Sequence, residues 1–442
     1  MPHGVAPIRR PNRRPFRRMV ALLIGSALCL AVSGARAENL EQAWATALAV
    51  DYRLEATRWS TSAAGHSLEA AQASRLPNVW VRGGYAVRSD EQSFRITTPL
   101  LPQSTFPYIP REGFQFGGNV RLPLYTSGQI QHGIDAAAEH LTSAKRNEQR
   151  TSQGLKIDVA EAYIGVLRGQ RQVDVTARAE QSLQSHLDDI DKRHAQELAR
   201  RNDVLASRVA LLDAHQTAVA AFNRLDLAQA GYNRLLGRPL EQRVVVDDLA
   251  IPDSQNDLDL LTSRAMSQRP ELGGLAAEMR SLRHQAESLL ASTKPQVGVD
   301  GGYQFLQNQF QTPQGIASAM VGAEWNLFDG GAKRRQAQAL CSQAEAVKRL
   351  LADMKSSIAL DVREAWLMEQ ESRQRVDVAR QSILHAEENL KVAQQRYRNG
   401  LGTNSDVLAA EALQTQSAGN YHNAVYDAVL SSLRLRRAAG DL

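Results

Sequence analysis

The sequence predicts a mainly α-helical fold with a minority of β-structure: long antiparallel coiled-coil helices and four strands per chain, arranged as an internal duplication. Three observations carry this. Two stretches of the 442-residue chain match one another at a fixed offset, four short windows alternate with period two, and the stretches after them are apolar with a period near 3.5.

The duplication comes first because it sets the unit. Leu124-Tyr125-Thr126-Ser127-Gly128 precedes Leu327-Phe328-Asp329-Gly330-Gly331 by 203 residues, and the same offset carries Asp158-Val159-Ala160-Glu161-Ala162-Tyr163 onto Asp361-Val362-Arg363-Glu364-Ala365-Trp366 and Asp203-Val204-Leu205-Ala206 onto Asp406-Val407-Leu408-Ala409. Upstream the offset becomes 218, aligning Pro77 with Pro295 and Gly83-Gly84-Tyr85 with Gly301-Gly302-Tyr303. Copy one therefore holds about 15 extra residues, placed in the Pro-rich piece from Thr98 to Arg111 and expected as a longer surface loop.

In the strand windows Val79, Val81, Gly83, Tyr85 and Val87 alternate with Asn78, Arg82 and Gly84, and Phe114, Phe116, Gly118, Val120, Leu122 and Leu124 alternate with Gln115, Asn119 and Arg121. Copy two repeats the pattern with Val297, Val299, Gly301, Tyr303 and Phe305, then Ala317, Ala319, Val321, Ala323, Trp325 and Leu327. Period two is the signature of a strand with unlike faces. Of the 24 aromatic residues, 13 fall in 77–126 and 295–329, so these windows are also where bulky apolar surface concentrates. An ordinary hairpin sheet packed on a core would show the same alternation.

Outside these windows the pattern changes. Leu155, Val159, Ala162 and Val166, then Leu183, Leu187, Ile190 and His194, make a coiled-coil seam; copy two gives Leu340, Ala344, Val347, Leu351, Met354 and Ile358, then Val376, Ala379, Ile383, Ala386, Leu390, Ala393 and Tyr397. Each long helix runs about 70 residues, or roughly 105 Å. A second stripe through Ile157, Ile164 and Leu167 lets one helix meet neighbours on two sides, as in a wall. Shorter helices are expected at about 39–75, 204–236, 257–292 and 407–438.

The chain divides into a signal peptide, 1–37; a first repeat, 38–236, with strands about 78–88 and 113–124 and a long helix about 129–198; an inter-repeat equatorial segment, 237–256; and a second repeat, 257–442, with strands about 296–306 and 316–327 and a long helix about 332–399. Six arginines between Arg9 and Arg18, an apolar run from Met19 to Val32 and Ala35-Arg36-Ala37 have the order of a secretory signal cleaved after Ala37. The run is too short to span a bilayer, which takes roughly 20 residues. Leu28 stands before Cys29 where a lipid-modified cysteine wants a small residue, so no lipid anchor is expected. Without the signal, 45 basic residues face 47 acidic ones. The basic character of the whole chain thus belongs to the signal, and nucleic acid is not an expected partner. One cysteine, Cys341, remains, which excludes an intrachain disulfide.

Strands that cross lipid must close into a barrel, and four cannot close alone. Two, three or four protomers would pool 8, 12 or 16 strands. Pro123 and Gly128 in copy one, and Gly330 and Gly331 in copy two, mark the strand-to-helix exits, since proline ends a ladder and glycine allows reorientation.

With these elements in hand the mature chain resembles the TolC-like outer membrane factor family. The duplicated unit carries the resemblance, with the Leu-Pro-Leu-Tyr-Thr-Ser-Gly and Asn-Leu-Phe-Asp-Gly-Gly exits and Tyr397-Arg398-Asn399-Gly400 leading to Ser405-Asp406-Val407-Leu408. The resemblance implies a homotrimer whose 12-stranded transmembrane β-barrel sits in outer-membrane lipid above a periplasmic α-barrel. It further implies hairpin tips that dock on a periplasmic adaptor (membrane fusion protein) coupled to an inner-membrane transporter. The implied function is the exit duct of a tripartite efflux pump, with type I protein secretion as the alternative.

At the copy-two tip, Gly400 and Gly402 supply turn freedom around Leu401, and Asp406 opens the returning helix. The family places an acidic ring at the periplasmic constriction on this helix, and Asp406 matches one position; Ala409 stands where some relatives carry a second acid. Helix capping by Ser405 or Asp406 is the competing role. Copy one reads Glu197-Leu198-Ala199-Arg200-Arg201-Asn202-Asp203, without glycine, and the expected turn there uses Asn202 for a left-handed residue and Asp203 as cap. Leu198 and Leu401 are the expected adaptor-docking residues.

No phosphate-binding loop, nucleophile elbow or zinc-ligand spacing occurs, so neither catalysis nor a cofactor is expected. A soluble periplasmic coiled-coil adaptor shares the hairpins and the export signal, but has no use for two aromatic-rich strand pairs at equivalent positions.

Overall fold

The computed structural model describes residues 37–98, 101–254 and 257–442, so the expected signal peptide, with Cys29, lies up to residue 36 outside the described residues. The order is α1 (Leu40–Val50), α2 (Tyr52–Ala73), β1 (Asn78–Val87), β2 (Gln92–Thr98), β3 (Leu101–Ile109), β4 (Glu112–Tyr125), α3 (Gln129–Ala195), α4 (Arg201–Leu235), α5 (Leu258–Gln268), α6 (Pro270–Ala291), β5 (Gln296–Leu306), β6 (Gly315–Glu324), α7 (Ala332–Arg398) and α8 (Asn404–Ala439).

Local chemistry explains the boundaries. Asn39 and Gln42 form a reciprocal capping box that starts α1, and the Asp51 carboxylate accepts from Leu54 N at 2.9 Å, ending α1 and opening α2 at one residue. In copy two, Pro270 at the first turn makes the matching break between α5 and α6. α3 and α7 are 67 residues each, about 100 Å long.

β1, β4, β5 and β6 form one antiparallel sheet in the order β1-β4-β5-β6, so copy one joins copy two through β4 and β5. The two hairpins share a register under the sequence offsets: Tyr85 faces Phe114 as Tyr303 faces Ala317, and Val79 faces Val120 as Val297 faces Ala323. Partners across a ladder point to the same face. The register therefore collects Val79, Val81, Tyr85, Val87, Phe114, Phe116, Val120, Leu122, Val299, Tyr303, Phe305 and Val321 on one side. The other side carries Arg82, Gln115, Asn119, Arg121, Asp300, Gln304 and Glu324 together with Trp80, Ile316 and Met320, and Arg121 lies 3.0 Å from Asp300 and 3.6 Å from Glu324.

This sheet packs on no core. Among the described residues, the four clusters of buried apolar side chains contain no residue of these strands, and Val79, Val81, Phe114, Phe116 and Val321 are exposed on the apolar face. β1 and β6 are its two edges, each paired on one side only.

Two expectations need correction. The extra residues of copy one are not an irregular loop: β2 and β3 form a second hairpin in which Phe94 stacks on Tyr108, ring centroids 4.8 Å apart. Pro102 and Pro107 fit it because a two-stranded ribbon leaves outward backbone positions that need no donor. Nor does Pro123 end its ladder; it pairs with Gly298, and the strand continues through a bulge to Tyr125.

The largest buried cluster lies at the helical equator, where α1, the start of α2, α3, α4, α8 and the segment between the repeats meet around Leu54, Val159, Tyr163, Ile164, Tyr232, Leu236, Val246 and Tyr426. Glu38 fastens it. Its backbone N donates to Val245 O at 2.9 Å, and its carboxylate takes both arms of Arg238, at 2.7 and 2.9 Å, and the Tyr232 hydroxyl at 2.9 Å. Burial favours the neutral acid, but the hydrogen bonds from Arg238 and Tyr232 outweigh it and hold the Glu38 carboxyl below its ordinary value.

Candidate functional site

The strand-to-helix exits are built from left-handed backbone. Gly128, at φ 91°, is the N-cap of α3, and Gly331, at φ 80°, is the N-cap of α7 beside Gly330 at φ 71°. At the first exit, Ser127 Oγ donates to Pro295 O at 2.5 Å and ties the turn to the start of β5. At the second, the Asp329 carboxylate accepts from Gly331 N at 2.8 Å and Lys333 N at 3.2 Å, and these amides hold its carboxyl below the ordinary range. The sheet thus turns into the long helices at two equivalent points.

At the other end, the tips of the α3–α4 and α7–α8 hairpins close by one motif. Leu401 N donates to Arg396 O at 2.8 Å and Gly400 N to Tyr397 O at 3.1 Å; in copy one Leu198 N donates to Arg193 O at 2.8 Å and Glu197 N to His194 O at 2.9 Å. Both are the paired closing bonds of a helix C-terminus whose next residue is left-handed. That residue is Gly400, φ 72°, in copy two and Glu197, φ 62°, in copy one. The left-handed residue must directly follow the last turn of α3, so Asn202, expected to fill this role, lies inside α4 instead. Asp203 is not the cap either: Arg200 holds the N-cap position without a side-chain bond, and Asp203 sits in the first turn. Leu198 and Leu401 project from the tips, 72% and 71% exposed.

The returning helix α8 is capped by Thr403, two residues before Ser405. Thr403 Oγ1 accepts from Asp406 N at 3.2 Å while the Asp406 carboxylate accepts from Thr403 N at 2.9 Å, a reciprocal capping box. Ser405 cannot match this, because Leu408 stands where its acidic partner would be. The Thr403 amide and hydroxyl keep Asp406 ionised to lower pH than a free aspartate, and the side chain is exposed. Gly402 leaves room for the crossing: a Cβ there would lie 3.2 Å from Arg396 Cβ.

Sequence reasoning missed how the two hairpins are braced. Asn404, buried, bridges three helices: its Oδ1 lies 2.8 Å from His186 Nε2, and its Nδ2 donates to Ser207 Oγ at 3.0 Å and Asp203 O at 3.1 Å. Arg193 donates to Arg398 O at 2.8 Å and stacks over Tyr397, and Arg398 reaches Asp189 at 3.4 Å. Higher up, Arg168 pairs with Asp427 at 2.5 Å across α3 and α8. These partners are some 200 residues or more apart, and no short motif announces them.

Among the described residues no helix is long and apolar enough to cross a membrane, a criterion that does not bear on strands. The chemistry on offer is therefore that of a wall: an apolar-faced sheet, long helices, and an exposed carboxylate fixed near the turn.

The sequence pattern described as outer membrane efflux protein matches residues 43–238 and 261–441. The chain is similar to outer membrane protein TolC of Vibrio cholerae serotype O1, 24% identical over 442 residues, covering 97% of this chain and 96% of that protein. It is also similar to the alkaline protease secretion protein AprF of Pseudomonas aeruginosa, 23% identical over 455 residues, with 97% and 89% covered. Its fold is that of the outer membrane protein VceC of Vibrio cholerae, with a TM-score of 0.77 at 16% identity over 91% of this chain and 96% of the other.

A left-handed non-glycine residue costs roughly 1 kcal/mol. Glu197→Gly therefore slows hydrogen exchange at the amides of residues 197 and 198 by about fivefold, as read by mass spectrometry; unchanged or faster exchange contradicts the strain assigned to Glu197.

Proposed function

The chain belongs to the outer membrane efflux protein family, and we propose that it is the exit duct of a tripartite pump, passing small molecules across the periplasm and outer membrane with a periplasmic adaptor and an inner-membrane transporter. The observation that carries this is a four-stranded sheet that is apolar on one side, carries the charged residues on the other and, among the described residues, is uncovered and open at both edges. Strands of 10 to 14 residues suffice to span hydrocarbon, and such edges are tolerated there only if other strands complete them.

The duplication says which strands. β4 is to β5 within the chain as β6 is to β1 of the next copy, so each contact between the repeats has a counterpart between protomers. Arg121 faces Asp300 inside the chain; the offsets turn this pair into Glu324 facing Arg82 of the next copy, opposite charges again but exchanged. Arg168 with Asp427 becomes Glu371 with Arg224, also exchanged, and Glu371 and Arg224 are both exposed in the single chain. Likewise α6 lies between α3 and α7, whereas its counterpart α2 touches α3 and leaves its other side for a neighbouring α7. Exposed Leu205, Val209, Leu212 and Phe222 on α4, and Leu360, Leu367 and Val378 on α7, are then the apolar surface that the contact covers. A head-to-tail contact of this kind closes into a ring. Three copies give 12 strands, with the polar face lining the lumen and the apolar face in lipid.

The tips point away from the sheet and carry the adaptor contacts, Leu198 and Leu401 foremost, with Asn202, Asp203, Gly400, Gly402 and Ser405 shaping the turns. Asp406 contributes one carboxylate per protomer to a ring at the periplasmic mouth, attracting cations and repelling anions. Its capping box fixes the carboxylate without neutralising it. A second reading, export of a protein substrate by a type I system, is favoured by the likeness to a relative named for alkaline protease secretion. Both use the same duct.

Deleting the gene sensitises the cell to small toxic compounds, and the plasmid-borne gene restores resistance; loss of a secreted protein with susceptibility unchanged selects the secretion reading. In planar bilayers the reconstituted protein conducts with a preference for cations, which Asp406→Ala lowers several-fold, and unchanged selectivity removes Asp406 from the mouth.

A further inference from the structure

Just below the sheet, the first turn of α3 meets the last turns of α6, joined by Ser288 Oγ donating to Gln129 O at 2.9 Å, while Gln296 at the start of β5 donates to the Gln129 side chain at 2.5 Å. Three side chains converge here. His132 lies one turn after Gly128, and a Cβ on Gly128 would come within 3.3 Å of its Cδ2 and Nε2. The Nε2 edge of the ring thus rests over the glycine, which leaves Nδ1 turned towards α6. On α6, His284 and Glu287 share a face at a spacing of three. Glu287 Oε2 is 3.1 Å from His132 Nδ1 and 3.1 Å from His284 Nδ1, and the two imidazoles are stacked, centroids 6.1 Å apart. His132 Nδ1 is shut off from solvent and, despite its neighbour, has no hydrogen bond of acceptable geometry. A buried ring nitrogen left in that state is unfavourable unless something else binds it.

We infer that His132, His284 and Glu287 form a binding site for a divalent transition-metal ion of the zinc class. One ligand atom from each lies within 4.8 Å of the others. Tetrahedral zinc with bonds of about 2.0–2.1 Å needs ligand atoms about 3.4 Å apart. Two separations, 3.1 Å each, are close to this, and the third is no more than 4.8 Å. Two imidazoles and one carboxylate select zinc, nickel or copper(II) over calcium or magnesium, and a helical pair spaced by three with a ligand from a facing helix is how bundles build such sites. The fourth position stays open to water. An ion here staples the start of α3 to the end of α6, the joint through which β4 and β5 are held.

The duplication supplies a control. α2 carries the same pair, His66 and Glu69, with Nδ1 and Oε2 3.1 Å apart, 218 residues before His284 and Glu287. The counterpart of His132 on α7 is Arg335, a cation that cannot ligate metal. Only one of the two positions is complete, and one ion per protomer is expected.

The test is isothermal titration of zinc into the untagged, chelator-stripped oligomer near neutral pH, with thermal melting alongside. One saturable site per protomer is expected, weakened roughly tenfold or more by His132→Ala and by His284→Ala, unaffected by His66→Ala, and accompanied by a rise in melting temperature that His284→Ala abolishes. Cobalt(II) absorption of the wild type, showing imidazole ligation, provides a second readout should either variant misfold. Absence of saturable binding, binding that survives loss of both histidines, or binding lost in His66→Ala overturns the site.

Discussion

Everything in this molecule follows from unpaired backbone at the two edges of one sheet. A strand edge in hydrocarbon leaves N–H and C=O groups with no water to satisfy them, each at a cost of several kcal/mol. Among the described residues β1 and β6 are each paired on one side only, and no buried apolar cluster covers the sheet between them. On the proposed reading the single chain, with its two-faced sheet and the helices beneath, is one sector of a closed cylinder.

The duplication is what lets one gene supply the sector. Each repeat offers a hairpin and a long helix pair, and in the proposed ring the contact that joins the two repeats within one chain serves again between chains. The internal joint uses Arg121 with Asp300 and Arg168 with Asp427; under the repeat offsets the proposed external joint would pair Glu324 with Arg82 and Glu371 with Arg224. In such a ring, exchanged charges favour alternation of the two repeats, because like repeats placed side by side would not pair in the same way. The equatorial cluster, fastened at Glu38 by Arg238 and Tyr232, holds the helices together midway between sheet and tips.

Much of this was legible in the sequence because it is periodic or local. Alternation in Val79-Val81-Gly83-Tyr85 and heptad spacing in Leu155-Val159-Ala162-Val166 report strand and helix through a few residues each, and self-comparison reports the repeat. What escaped depends on competition or distance. Thr403, Ser405 and Asp406 can all cap a helix; Thr403 holds the position because Asp406 stands three residues on and answers it. The turn at Glu197 looked as though it needed Asn202, but a left-handed residue belongs where α3 stops, and the hydrogen bonds to Arg193 and His194 impose it on a glutamate. The β2–β3 hairpin was hidden by prolines that a free ribbon edge accepts. His132, His284 and Glu287 form no motif along the chain, since only the packing of α3 on α6 brings them together.

Closure between copies is tested most directly by cross-linking the two edges. The offsets carry the pairing of Phe116 with Phe305 onto Ala319 of one copy and Val87 of the next. With Cys341 replaced by serine, Ala319→Cys and Val87→Cys in one chain should oxidise in native outer membranes to a covalent species of three chains. A chain that stays monomeric under the same oxidation would contradict the account.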